Sequence, residues 1–231
     1  MEVDISKAIV RGYAAKLESC LDCDLVVVGA GPSGLLCAAH VARAGRNVAV
    51  FDRKLAPGGG VWGGAMLFNE VVIQQAAVAI LEELGVRHTR VDDRFVRADS
   101  VELAASLIYR AVHAGAKVFN GVSVEDVIFK GDRIGGVVIN YTPILLNNLH
   151  VDPLSMRAKV VLDGTGHGAE LTARAAQKAG ARSGAGGGRG GSGRWALGWG
   201  SGGGGAMGGR TRAGGGGWDL SRGATGAVSR A

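Results

Sequence analysis

Val26-Val-Val-Gly29-Ala-Gly31-Pro-Ser-Gly34 decides the fold. The apolar run Leu25 to Val28 before the glycines has the composition of a buried parallel strand. Residues 33–44 have helical character and are closed by Gly45, and Val48 to Phe51 is a second buried strand. Strand, glycine turn, helix and strand within about 30 residues make a βαβ unit. An ordinary tight turn would also carry glycine, so the pattern alone is weak. Its context is specific: a strand before it, a helix after it, and Asp52 at the end of the second strand, 18 residues past Gly34. Gly29 suits the tight turn, Gly31 a close approach to a pyrophosphate, and Gly34 close helix–strand packing. The helix N-terminus would supply N–H groups and partial positive charge to phosphate. Asp52 is placed to accept hydrogen bonds from ribose hydroxyls. Arg53 beside it suits either a phosphate or plain solvation.

Outward from this unit, residues 1–20 carry Ile5, Ile9, Tyr13 and Leu17 at helical spacing. Beyond it, Gly58-Gly-Gly-Val-Trp62-Gly-Gly64 sets five glycines around a tryptophan, a pattern suited to backbone that touches something flat or anionic. The pattern predicts a helix over 70–84 stopped by Gly85. Asp99 and Glu102 form a capping box for a helix running to His113. Strands are predicted at 117–119, 122–129 and 134–140. A last one, Lys159 to Leu162, runs into Asp163-Gly-Thr-Gly-His167. The expected class is α/β: a Rossmann-like dinucleotide-binding domain of the flavoprotein type with a small additional β-rich segment.

Composition divides the chain near residue 180. Of 41 glycines, 21 lie in residues 181–231, and that segment carries all of the net charge of +6. Residues 1–180 are neutral overall, so nothing there marks a basic nucleic-acid surface. The tail has three branched aliphatics (Leu197, Leu220 and Val228) and no periodicity, and is expected to be disordered. Its tryptophans, Trp195, Trp199 and Trp218, are unusual for a linker. The N-terminus opens with acids rather than a cationic signal region, and no apolar run reaches 18 residues. The expectation is a cytoplasmic protein without a membrane partner. Three cysteines, Cys20, Cys23 and Cys37, do not suggest a disulfide framework. Cys20-x-x-Cys23 has zinc-like spacing without a second pair and is taken as incidental. His40, His88 and His113 are taken as structural or surface residues.

The glycine turn, Asp52-Arg53-Lys54 and Pro57-Gly-Gly-Gly-Val-Trp-Gly-Gly together resemble the thiamine thiazole synthase family, in its archaeal sulfide-dependent branch. The resemblance continues through Gly121-Val-Ser-Val-Glu-Asp126, Gly136-Val-Val-Ile-Asn140, His150-Val-Asp-Pro153 and Asp163-Gly-Thr-Gly-His167, and ends near residue 178. It implies an enzyme that consumes NAD, glycine and sulfide and yields an adenylated thiazole carboxylate, a thiamine precursor. By the same resemblance, NAD contacts would come from Ser33, Asp52, Arg53, Gly60, the Val124 backbone and His150, Val151 and Asp152. Asp152 and His167 would hold Fe(II), contributed by neighbouring subunits of a homo-oligomer. One carboxylate and one imidazole suit ferrous iron with open positions. Without the resemblance, the 15-residue separation is no local ligand motif. At position 150 eukaryotic relatives carry a sulfur-donating cysteine. His150, the candidate catalytic residue, implies external sulfide instead.

The chain departs from the family in three places. Asp52 replaces glutamate, and Ala65 replaces a glycine of the tryptophan loop. Family members also continue past residue 180 with a segment containing Arg-Met-Gly-Pro, whose arginine binds the glycine carboxylate, and nothing in 181–231 matches it. The tail's composition is what GC-rich codons yield once the reading frame is lost. The expected organisation is a domain over 1–180 and a low-complexity tail over 181–231. The alternatives are a generic FAD- or NAD-dependent oxidoreductase, and a catalytically dead chain that only binds dinucleotide.

Overall fold

The computed structural model describes residues 1–184. Helix α1 (Glu2–Glu18) leads into strand β1 (Asp22–Val28), helix α2 (Pro32–Arg43) and strand β2 (Val48–Asp52), the βαβ unit expected. β1 pairs in parallel with β2, with Val28 opposite Phe51. Every residue of β2, and most of β1, is buried. A parallel strand covered on both faces must be apolar throughout rather than alternating. Leu25 and Val27 accordingly join one core cluster, and Val26 and Val28 the other.

The remaining strands are β3 (Glu70–Gln74), β4 (His88–Arg90), β5 (Phe95–Asp99), β6 (Lys117–Asn120), β7 (Val122–Lys130), β8 (Arg133–Tyr141) and β9 (Leu154–Asp163). The main sheet has the order β6-β2-β1-β9-β8-β7, and β3-β5-β4 form a second, three-stranded sheet. β9 changes partners along its length. Leu154 to Arg157 run antiparallel to β8, and Arg157 to Asp163 run parallel to β1. β2 and β9 flank β1, so the chain reverses direction around it and leaves a crevice at the carboxyl ends of these strands.

The helix expected over 70–84 is corrected. Glu70–Gln74 is a strand paired antiparallel with β5, and only Val78–Leu84 (α3) is α-helical. Val71, Val72 and Ile73 are β-branched, and a partner some 25 residues away overrides the helical spacing. Helix α4 (Ser100–His113) forms as expected, burying Leu103, Ala104, Leu107 and Ala111. Its cap is half a capping box. Asp99 accepts the Glu102 N–H at 2.8 Å, but the Glu102 carboxylate accepts from the Arg87 N–H and Nε instead. A short helix α5 (Thr142–Leu146) precedes β9, and α6 (Glu170–Gly184) follows it. The boundary drawn at 180 therefore falls inside a helix. The tail expected to be disordered lies outside the described residues, apart from the end of α6. Among the described residues no helix is long and apolar enough to cross a membrane.

Candidate functional site

Three backbone segments converge at the carboxyl ends of β1, β2 and β9. The Gly29 N–H donates to Phe51 O, Gly164 N–H to Val28 O, and Gly58 N–H to Ala30 O, each at 2.7 Å. Gly29 has φ +100°, and a methyl group on it would stand 2.3 Å from Gly164 O. A methyl on Gly34 would stand 2.3 Å from Gly29 O. Gly31 differs, because a methyl there would meet only Gly164 O, at 3.9 Å. The protein's own packing thus demands glycine at 29 and 34. At 31 the space is open, where an incoming ligand would lie. Gly31 is also the N-cap of α2, with no side-chain capping bond. Pro32 and Ser33 make the first turn, presenting the positive end of the helix to the crevice.

Asp52 is 8% exposed and holds this turn in place. Its Oδ2 accepts from the Ala30 N–H at 2.8 Å, and its Oδ1 from the Lys54 N–H at 2.8 Å. Each oxygen keeps a lone pair for a ribose hydroxyl. Arg53 forms a two-pronged ion pair with Glu170, at 3.0 and 3.1 Å. Gly60 is exposed, and nothing lies within 4 Å of where its Cβ would be. Trp62 packs back onto its own loop: its Nε1–H donates to Pro57 O at 2.8 Å and its ring covers Gly58. The tryptophan is thus accounted for by loop closure.

Asp163 is the functional-site residue whose role sequence reasoning missed. Only 6% exposed, it accepts four hydrogen bonds, from the N–H and hydroxyl of both Thr165 and Thr172, at 2.6 to 3.0 Å. These fix the Gly164-Thr-Gly loop against Gly29 and start α6. Asp-Gly-Thr at a strand end was the available signal. The backbone at Met66 and Leu67 is a further feature that the sequence does not show. Both are exposed, non-glycine residues with positive φ beside the glycine loop, an arrangement that stores strain.

His150, Val151 and Asp152 form an exposed loop before β9, tied down by Asn140 Nδ2–H donating to Val151 O at 3.3 Å. Val151 and Asp152 border a cavity of about 200 Å³ with Tyr13, Phe119 and Tyr141. Its wall also includes Phe51, the neighbour of Asp52. Val124 sits in β7 at the start of a bulge, opposite Ile139. His167 is exposed and follows the other end of β9. The stretch of β9 alongside β1 alone puts about 20 Å of strand between the two candidate metal ligands. Among the described residues no group of three or more His, Cys, Asp or Glu is arranged to hold a metal.

Residues 6–190 match the model of the Thi4 family. The chain belongs to the Thi4 family. It is 50% identical to the thiamine thiazole synthase of Thermococcus kodakarensis over 171 residues, 74% of this chain and 68% of that one. Identity to the thiamine thiazole synthase of Desulfosudis oleivorans is 48%, over 77% and 69% of the two chains. The crystal structure of Thermovibrio ammonificans THI4 superposes with a TM-score of 0.76 at 46% identity, covering 78% of this chain and 71% of the other. A myxobacterial FAD-dependent halogenase shares the fold at 22% identity, with a TM-score of 0.50 over 66% of this chain and 39% of its own. The Thi4 matches and the flavoprotein likeness bear out the Rossmann-like flavoprotein class expected from the glycine turn.

Proposed function

We propose that the chain is a thiamine thiazole synthase forming an adenylated thiazole carboxylate from NAD, glycine and sulfide. The observation that carries this, within a family whose relatives bear that name, is the contrast at the turn. Gly29 and Gly34 are filled in by the protein, while Gly31 is left open beside an uncapped helix N-terminus. That arrangement suits a pyrophosphate, with Asp52 on the adenosine ribose and Ser33, Gly60 and the Val124 backbone nearby. Arg53 would have to leave Glu170 to meet a phosphate. The His150–Asp152 loop would contact the dinucleotide from across the cavity.

Asp152 and His167 fit a ferrous ion as a mixed oxygen–nitrogen pair. Because β9 separates them, the fit supports a site shared between copies, Asp152 from one and His167 from the next. The metal would supply a Lewis-acidic centre with positions open to substrate and sulfide. His150 replaces the thiol of sulfur-donating relatives and leaves this loop without a sulfur source. The domain would be residues 1 to about 180, cytoplasmic and homo-oligomeric.

The test is anaerobic incubation of the full chain with NAD, glycine, sulfide and Fe(II), followed by mass detection of the adenylated thiazole. Product that disappears when sulfide alone is omitted is expected. Nicotinamide retained on bound NAD would instead identify a chain that only binds dinucleotide. A co-purifying flavin would identify an oxidoreductase.

A further inference from the structure

Cys20 and Cys23 flank the turn between α1 and β1, and both are almost fully buried, at 0% and 1% exposure. The Cys23 thiol donates to Cys20 O at 3.1 Å, which carries its sulfur back to residue 20. The Ser19 hydroxyl lies 3.9 Å from the Cys20 sulfur. That environment separates the two thiols. The neighbouring Cys23 thiol, followed by Ser19, Lys117 and Lys16, brings Cys20 down to about 7 against the opposing effect of burial. The neighbouring Cys20 sulfur and burial push Cys23 well up. A reactive thiol beside a protonated second thiol is the pairing that exchange chemistry requires.

The cover over these sulfurs is slight. Helix α1 has no buried residue along its 17 positions. It is held by the Tyr13 edge against the Phe119 ring, by Lys16 on Val118 O and over that ring, and by half-buried Leu17. Such an element opens at low free energy without unfolding the sheet. A disulfide across two intervening residues also removes little chain entropy, which makes it readily reversible.

We propose that Cys20 and Cys23 form a thiol–disulfide exchange site, covered by α1, whose co-substrates are small-molecule disulfides. The Cys20 thiolate attacks one sulfur of the disulfide, whose S–S bond breaks and releases one thiolate. The Cys23 thiol passes its proton to that thiolate and attacks the Cys20 sulfur, expelling the second. Two protein thiols are oxidised and one small disulfide is reduced to two thiols. Cys37 has no second cysteine to resolve a mixed disulfide, and burial raises its thiol.

The test uses the full chain, reduced and then equilibrated in buffers of graded reduced and oxidised glutathione, with alkylation and peptide mass mapping. The peptide holding Cys20 and Cys23 is expected to lose two hydrogen atoms and refuse the alkylating label, while Cys37 takes it. Cys23→Ser is expected to trap glutathione on Cys20, and Cys20→Ser to trap none. Leu17→Ala, which loosens α1, is expected to speed the reaction on the order of tenfold. If Cys20 and Cys23 in the unsubstituted chain stay alkylatable under oxidised glutathione, the proposal is overturned. It is equally overturned if Cys20→Ser traps glutathione as readily as Cys23→Ser.

Discussion

The glycine crevice and the exposed β9 loops are two halves of one candidate site built on opposite principles. At the crevice, backbone meets backbone, the carboxylates are buried and hydrogen-bonded, and single atoms decide what fits. Around His150–Asp152 the side chains are exposed, and so are Leu145 and Leu146 on α5, and Leu149 and Leu154 around the loop. An apolar surface of this kind beside the candidate loop would suit association. One half is complete within a single chain. The other has its chemistry on the surface, where a second copy could reach it.

The largest effect is expected at the crevice. Gly29→Ala combines a positive φ with a methyl driven into Gly164 O, and should cost about 3 kcal/mol in urea denaturation. Gly31→Ala should leave stability within about 0.5 kcal/mol of the parent, because its methyl meets open space. Calorimetric NAD titration should nevertheless show it binding more weakly by on the order of tenfold. Equal destabilisation by the two substitutions would break the distinction between glycines kept for packing and a glycine kept for a ligand.

Next comes Asp163→Ala, which strands the hydroxyls and N–H groups of Thr165 and Thr172 in a half-buried setting. A loss of about 2–3 kcal/mol is expected, together with faster proteolysis at the start of α6. Asp152→Ala and His167→Ala should behave oppositely, each within about 0.5 kcal/mol of parent stability because both side chains are exposed. Each alone should abolish iron-dependent product. Mixing the two variants should restore part of the activity, since an interface that joins the intact Asp152 of one to the intact His167 of the other keeps both ligands. No recovery on mixing would place both ligands in one chain. Leu146→Glu, on the exposed side of α5, should shift sedimentation toward the monomer without altering the thermal midpoint by more than a few degrees.

The same contrast governs what was legible in the sequence. The strand–turn–helix geometry of the crevice is legible in the sequence, because Gly29, Gly31, Gly34 and Asp52 stand at fixed local spacing. Residues 70–74 were misread because their state is set by β5, a non-local partner invisible to periodicity. Asp163 was quoted only as part of a motif. Its weight comes from two threonines, one of them nine residues on, that only the fold brings to it. Asp152 and His167 are singled out by resemblance alone, because residues 15 apart on either side of a strand make no local ligand pattern.

The smallest effect concerns a contact remote from both halves. Asp24 accepts from Lys159 Nζ at 2.7 Å and from the Asn47 N–H at 2.9 Å, tying the start of β1 to β9 and to the entry of β2. The Lys159 hydrogen bond, then the Asn47 N–H, holds its carboxyl below the ordinary carboxylate value. A carboxyl depressed in the folded state favours folding above its unfolded value, near 3.9, and that contribution is lost as pH falls through the folded one. Stability measured between pH 7 and 5 should therefore be insensitive to Asp24→Asn beyond a constant offset of less than about 1 kcal/mol, because solvent screens the pair. Below about pH 4 the parent and variant curves should converge as the parent's carboxyl takes up its proton. Curves that stay parallel to pH 2 would mean the aspartate acts through shape rather than charge. The β1–β9 register would then rest on backbone pairing alone.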